Sequence, residues 1–266
     1  MPELDFISTG FRDVDAMLGG GLLRGQLVLL AGVTGIGKSA LASDMALNVA
    51  MSQGLPVLYV STETAANMLA IRWACALSGH HTRDALAHDA GELYSGALDA
   101  ATRNLGRIAK ATGLSTLTSE TTPQGIRNAA TDWCRDLAQP GFIVVDGLTS
   151  MELPPDGAEA HAVAARSMKA LAMAANVPVL LTSNWFCQQG LFRKRLLLGD
   201  RPDMDDAVAV ADIVLFLHRD DHFSPEHIPG RAELIIAKHR TGPTGTVPLR
   251  HELTCFRFCS LPAEVR

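Results

Sequence analysis

The sequence has little net charge, no apolar run long enough to cross a membrane and no paired cysteine motif. The net charge is −5, so no global positive field favours nucleic acid, and binding of that kind depends on a local basic patch. The N-terminus also lacks the basic start and the long apolar stretch of a signal peptide. We therefore expect a protein that does not enter a membrane.

Cysteine usage points to a reducing compartment. The sequence has five cysteines, an odd number, and no two of them form a C-x-x-C pair. This pattern predicts reduced thiols in a cytoplasmic protein. The cysteines are Cys75, Cys134, Cys187, Cys255 and Cys259.

The length and the composition fit one large α/β domain. The chain has 266 residues, of which 47% are apolar and 19% charged, a balance that favours a globular core over disorder. We predict a single domain over residues 1–266, in which residues 1–25 form a lead-in segment.

A phosphate-binding motif lies near the N-terminus. Residues 32–39 form a complete G-x-x-x-x-G-K-[ST] loop between an apolar run suited to a strand and an Ala- and Leu-rich helical segment. Backbone N–H groups and the helix N-terminus then bind phosphates, Lys38 reaches the β- and γ-phosphates, and Ser39 can hold Mg²⁺. The predicted nucleotide-binding residues are Gly32, Val33, Thr34, Gly35, Ile36, Gly37, Lys38, Ser39 and Ala40.

Apolar strand-like runs alternate with helical segments through the first two thirds of the chain, which predicts a mostly parallel sheet with helices on both faces. Closely spaced strands near the end predict antiparallel additions. We also expect a helix from near Thr9 to the triple glycine that begins at Gly19, a strand over Val177–Thr182, and a terminal hairpin of Thr246–Leu249 with Leu253–Phe258.

Two carboxylates follow predicted strands. Asp146 ends the apolar run Phe142–Asp146, which is typical of the acidic residue that orients Mg²⁺ beside a phosphate loop. Glu63 stands just beyond the strand Val57–Ser61 and can act as a general base toward water. The alternatives are that Asp146 caps the next element and that Glu63 is solvated.

Several histidines and aspartates cluster near residue 220. They could hold a metal, but the segment is loop-like and nothing fixes a ligand geometry, so we favour a loop without a metal. The residues concerned are His218, Asp220, Asp221, His222 and His227.

Longer stretches carry a family resemblance. They are the phosphate loop and residues 8–15, 57–72, 122–127, 142–151, 167–172, 211–220 and 235–247. Over essentially its whole length the chain resembles the C-terminal RecA-like motor domain of DnaB-type replicative helicases. The resemblance implies a RecA-like phosphate-loop fold, ATP and Mg²⁺ as cofactors, and a hexameric ring. The N-terminal helical domain and the linker helix of those helicases are expected to be absent.

The resemblance also implies roles for individual residues. Glu63 is the implied catalytic base, and Asp146 and Ser39 the implied metal ligands. Lys238 and Arg240 would reach the γ-phosphate bound by a neighbouring subunit. Asn184 stands where the family usually has a γ-phosphate-sensing Gln, and its shorter side chain bears on how hydrolysis is coupled to DNA. The implied catalytic set is Lys38, Glu63, Asp146, Asn184, Lys238 and Arg240.

The DNA-facing region departs from the family pattern. Residues 203–210 are acidic and then apolar, without the Arg and Gly expected there. A basic loop upstream could still contact the phosphates of single-stranded DNA, although a solvated charge run explains it equally well. Its residues are Arg193, Lys194, Arg195 and Arg201.

Our first hypothesis is a ring-forming Mg²⁺-dependent ATPase that translocates on or unwinds DNA in replication. One alternative is a nucleotide-binding regulatory paralogue without helicase activity. The other is a RadA-like recombination ATPase.

Overall fold

The structure is a computed structural model that describes residues 5–87, 92–153, 159–185, 195–224 and 229–261. The strands are β1 Phe6–Ile7, β2 Leu22–Leu23, β3 Leu27–Gly32, β4 Val57–Ser61, β5 Ser115–Leu117, β6 Phe142–Asp146, β7 Val179–Asn184, β8 Ile213–His218, β9 Arg231–His239, β10 Gly245–Glu252 and β11 Arg257–Ser260. The helices are α1 Arg12–Met17, α2 Lys38–Gln53, α3 Ala66–Ser78, α4 Thr82–Ala85, α5 Glu92–Thr112, α6 Pro123–Arg135, α7 Glu159–Ala175 and α8 Asp205–Val210. Short 3-10 turns span Leu148–Ser150, Pro202–Met204, Asp220–His222 and Leu253–Cys255.

A nine-stranded sheet forms the centre of the molecule, in the order β11-β10-β9-β8-β3-β7-β6-β4-β5. The strands from β8 to β5 in this order pair in parallel, and β9, β10 and β11 add to β8 as antiparallel strands. β1 and β2 form a separate two-stranded sheet. The predicted fold class, a mostly parallel sheet with antiparallel C-terminal strands, is confirmed.

Helices cover both faces of the sheet, because its central strands are apolar on both sides. Every residue of β3 and of β8 is buried, as expected for central parallel strands. Residues of α2, α3 and α5 pack on one face of the sheet, and residues of α6, α7 and α8 pack on the other. None of the described helices combines the length and the apolar character needed to cross a membrane.

Three element boundaries differ from the sequence prediction. α1 begins at Arg12, because Gly10 has a φ of +81° and Phe11 is extended, with φ −104° and ψ 97°. β7 starts at Val179, after Pro178, and continues to Asn184, which pairs with Gly32 on β3. The terminal hairpin is formed by β10 and β11, whereas residues 253–255 form a 3-10 turn.

Asp44 is a buried carboxyl group that joins α2 to β11. It is 7% exposed and accepts a hydrogen bond from the backbone N–H of Phe258. Burial raises the pKa of this carboxyl to about 7, although the Phe258 N–H and the charge of Arg257 oppose the rise.

Replacing Asp44 by Asn is expected to stabilise the fold above neutral pH. The carboxyl titrates near 3.8 when unfolded and near 7 when folded, so native stability falls as the pH rises between these values. Asn does not titrate and still accepts from Phe258. The Tm of the Asp44→Asn variant should exceed that of the wild type by several degrees at about pH 8 and differ little from it near pH 4. Thermal melts at both pH values measure this, and an equal difference at both would contradict it.

Candidate functional site

A cleft of about 370 Å³ lies at the carboxyl ends of the parallel strands β3, β4, β6 and β7. Ligands of open α/β sheets bind at this edge. The structure brings together here six of the nine predicted phosphate-loop residues with Glu63, Asp146 and Asn184. The lining residues are Thr34, Gly35, Gly37, Lys38, Ser39, Ala40, Glu63, Thr64, Arg72, Asp146, Gly147, Thr182, Asn184, Leu253 and Phe256.

Gly37 shows why the loop needs glycine where it meets α2. Its φ is +111°, a conformation that side chains rarely adopt, and a Cβ atom there would lie 2.9 Å from the ring of Phe258. The loop therefore turns into the helix under the C-terminal strands. Three predicted loop residues do not line the cleft. The carbonyl oxygens of Gly32 and Val33 accept hydrogen bonds from Lys38, which does line it, and Ile36 is buried.

Lys38 is a buried ammonium at the floor of the loop. Its Nζ donates to the carbonyl oxygens of Gly32 and Val33, at 3.0 and 2.9 Å, and the residue is 7% exposed. Burial lowers its pKa to about 8, and the neighbouring Asp146 and Glu63 carboxylates partly offset this. A triphosphate in the cleft would stabilise the charged form of Lys38.

Asp146 is held at both carboxylate oxygens. Its Oδ1 accepts from the hydroxyls of Thr182 at 2.7 Å and Ser39 at 3.1 Å, and its Oδ2 accepts from the Tyr59 hydroxyl at 3.0 Å. The Thr182 hydroxyl also accepts from the backbone N–H of Gly147, at 2.9 Å. Asp146 is therefore fixed beside Ser39.

The donor set of this cleft fits Mg²⁺ bound together with a nucleotide. Ser39 and Asp146 offer hard oxygen ligands side by side, and Mg²⁺ commonly takes one or two protein oxygens plus phosphate oxygens and water. No group of three or more His, Cys, Asp or Glu side chains among the described residues could hold a metal ion. Ser39 and Asp146 supply two protein oxygens, so the cation would share its coordination with the phosphates and water.

The histidine-rich stretch is occupied by other contacts. His251 Nε2 lies 3.0 Å from Asp221, which also binds Arg219 at 3.1 Å. His218 contacts Asp220 at 2.9 Å. His227 lies outside the described residues.

Glu63 is exposed in the cleft, beyond the end of β4. The hydroxyl of Ser150, in the turn that follows β6, donates to its Oε1. The carboxylate is thus oriented by Ser150 in a residue that stays exposed in the cleft.

Asn184, the last residue of β7, lines the cleft next to Thr182. Its backbone carbonyl accepts a hydrogen bond from Arg201. This contact joins the end of β7 to the segment that precedes α8.

Lys238 and Arg240 are not brought to this cleft. Lys238 pairs with Val214 near the start of β8, so it lies toward the amino edge of the parallel strands. Its Nζ binds the carbonyl oxygens of residues 208, 209 and 211 at 2.7, 3.0 and 2.7 Å. Arg240 binds the Ala209 carbonyl at 2.9 Å and Asp212 at 3.2 Å. Neither side chain faces the phosphate loop of its own chain.

The basic residues predicted to contact DNA are only partly described. Arg193 and Lys194 lie outside the described residues. Arg195 binds Glu233 through its Nη2 at 2.7 Å, and Arg201 pairs with Asp203 at 2.9 Å. Their contacts with DNA stay a prediction.

Sequence reasoning did not identify Arg72 and Phe256 as cleft residues. The guanidinium of Arg72 lies 5.0 Å from the ring centroid of Phe256, and its Nη1 donates to Thr64 at 3.3 Å. Such a pair forms a flat surface suited to stacking. The only local signal was the position of Arg72 on the helix that follows Glu63.

Comparison with known proteins gives one consistent result. The model of the DnaB-like helicase C terminal domain matches residues 6–260. The replicative DNA helicase DnaB of Geobacillus stearothermophilus is 31% identical over 256 residues, which are 93% of this chain and 55% of that protein. The chain thus spans about half the length of the curated relatives it matches.

Two solved structures have the same fold. One is an ATPase domain, which matches with a TM-score of 0.86 and 25% identity, over 98% of this chain and 93% of the other. The second, a DnaB-like replicative helicase solved in a study of its interactions with primase, matches with a TM-score of 0.87 and 24% identity, over 98% of this chain and 63% of the other.

Proposed function

Because this chain belongs to the family of the DnaB-like helicase C terminal domain, we propose that it is a Mg²⁺-dependent ATPase that moves along or unwinds DNA in replication. The observation that carries the proposal is the meeting of Lys38, Ser39, Asp146 and Glu63 in one cleft at the carboxyl edge of the sheet. Positioning and charge stabilisation supply most of the catalysis of phosphoryl transfer, and these four groups supply both. The cysteine usage supports a cytoplasmic location.

Each group has a separate task in hydrolysis. Lys38 and the loop N–H groups bind the β- and γ-phosphates, and Ser39 and Asp146 would hold Mg²⁺. When bound, the cation neutralises charge on the phosphate oxygens. Glu63 accepts a proton from water as the water oxygen bonds to the γ-phosphorus and the bond to the ADP oxygen breaks.

Lys238 and Arg240 act on a nucleotide bound by a neighbouring copy. Both side chains lie toward the amino edge of the sheet, away from the phosphate loop of their own chain. Head-to-tail contact between copies would bring them to the next cleft, and a closed set of such contacts forms a ring. We propose a homo-oligomeric ring on this basis, and take six copies from the family resemblance.

The segment between β7 and α8 connects the nucleotide with DNA. Asn184 faces the cleft, and its carbonyl is bound by Arg201, which lies in the basic loop. Movement of Asn184 on hydrolysis would shift Arg201, and with it the described part of the basic loop, along the phosphates of single-stranded DNA.

ATP turnover is expected to rise several-fold when single-stranded DNA is added, because DNA bound at Arg201 would act on the cleft through the contact of Arg201 with the Asn184 carbonyl. Steady-state phosphate release with and without an oligonucleotide measures this, and blunt duplex DNA of equal length is the control. If ATP binds but turnover stays negligible with either DNA, the helicase proposal fails and a nucleotide-binding regulatory role replaces it.

A further inference from the structure

The hydroxyl of Tyr59 lies behind the carboxylate of Asp146, and the roles assigned above make no use of it. Tyr59 is 0% exposed, and its hydroxyl oxygen lies 3.0 Å from Oδ2 of Asp146. Tyr59 and Ser61 share one face of β4, and Ser61 pairs in register with Asp146. The sheet itself therefore brings the phenol to the carboxylate.

The other carboxylate oxygen is held from a different direction. Oδ1 of Asp146 accepts from Thr182 at 2.7 Å and from Ser39 at 3.1 Å. Asp146 is 6% exposed, so turning its carboxylate would leave a buried hydrogen bond unmade. The orientation of Oδ1 toward Ser39 thus depends on the donor at Oδ2.

Tyr59 is a permanent donor in a fixed place. A phenol carries its proton at neutral pH, and this one points it at Oδ2 of Asp146 over 3.0 Å. Trp73 packs edge-on against its ring, with the centroids 5.3 Å apart. The second side-chain partner of the hydroxyl is Ser43, at 3.4 Å, which binds the phenol from α2.

We propose that Tyr59 is a positioning residue for the Mg²⁺ site. Its hydroxyl holds Oδ2 of Asp146 so that Oδ1 stays beside the Ser39 hydroxyl, where both can bind the cation that accompanies the nucleotide. The inference rests on the proposed function, since it takes Ser39 and Asp146 as the cation ligands.

Tyr59→Phe removes the hydroxyl and keeps the ring against Trp73. The Mg²⁺ concentration that half-saturates binding of a fluorescent ADP analogue should rise about tenfold, as is typical when an outer partner of a metal ligand is lost. Affinity for the same analogue in EDTA should stay within about twofold of wild type, because the loop contacts are intact. The control is Ser43→Ala, which removes the other side-chain partner of the phenol, leaves its contact with the Ser39 carbonyl at 3.4 Å, and should keep the wild-type Mg²⁺ requirement.

A second pair of variants separates positioning from packing. In a protein that already carries Asp146→Asn, adding Tyr59→Phe should not change the half-saturating Mg²⁺ concentration any further. The inference is overturned if Tyr59→Phe needs no more Mg²⁺ than wild type. It is also overturned if Tyr59→Phe raises the requirement equally with and without Asp146→Asn. Neither outcome touches the proposed function. If binding of the ADP analogue to the wild type does not depend on Mg²⁺, the proposed function is overturned as well. If the Phe variant does not fold, Tyr59→Met carries the same test.

Discussion

Replacing Glu63 by Gln is expected to lower ATP turnover by about a thousandfold while ATP binding stays within about twofold of wild type. Glu63 lies in the cleft and is oriented by the hydroxyl of Ser150. Gln has nearly the same shape but cannot accept the proton of the attacking water. Single-turnover phosphate release and a nucleotide-binding titration separate the two effects.

The matched control for this prediction is Glu152→Gln. Glu152 is an exposed residue just after the turn that carries Ser150, and it is not part of the cleft lining. The same chemical change there should leave turnover at the wild-type level. Retention of more than about a tenth of wild-type turnover by Glu63→Gln would show that another group takes the proton.

Replacing Arg240 by Ala is expected to reduce turnover by about a thousandfold, the loss typical for an arginine finger. The fold should survive, because Asp212 keeps its contacts with Lys169 at 2.6 Å and with the N–H of Leu27 at 2.8 Å. Nucleotide binding should also survive, since Arg240 lies away from the cleft of its own chain. Steady-state turnover and a binding titration measure the two properties.

Arg250 provides the control for charge removal. It lies on β10 with its side chain 55% exposed and pairs with Glu252. Arg250→Ala should therefore keep turnover near wild type. An equal loss in both variants would point to net charge or stability as the cause instead of a contact with the neighbouring site.

The phosphate loop and the two carboxylates could be located from the sequence because each is a local pattern. The loop has fixed spacing, and Asp146 and Glu63 follow apolar strands whose carboxyl ends share one edge of the sheet. The structure places them in one cleft, as the pattern predicts.

Contacts between distant segments could not be predicted in this way. Phe256 reaches Arg72 only because the C-terminal hairpin folds over α3 and residue 256 adopts a φ of +57°. The antiparallel pairing of β9 with β8 decides which edge Lys238 and Arg240 occupy. Hydrophobic periodicity in the sequence predicts where a strand lies, but not which strand it pairs with or whether the pairing is parallel.

The central claim is that each ATPase site is built from two copies of the chain, and mixing two inactive variants tests it most directly. Glu63→Gln protein keeps Arg240, and Arg240→Ala protein keeps Glu63, so an interface of one with the other contains a complete site. In an equal mixture about a quarter of head-to-tail interfaces would be complete, and turnover should recover to that order. Turnover of the mixture no higher than that of the separate variants would contradict a site shared between copies.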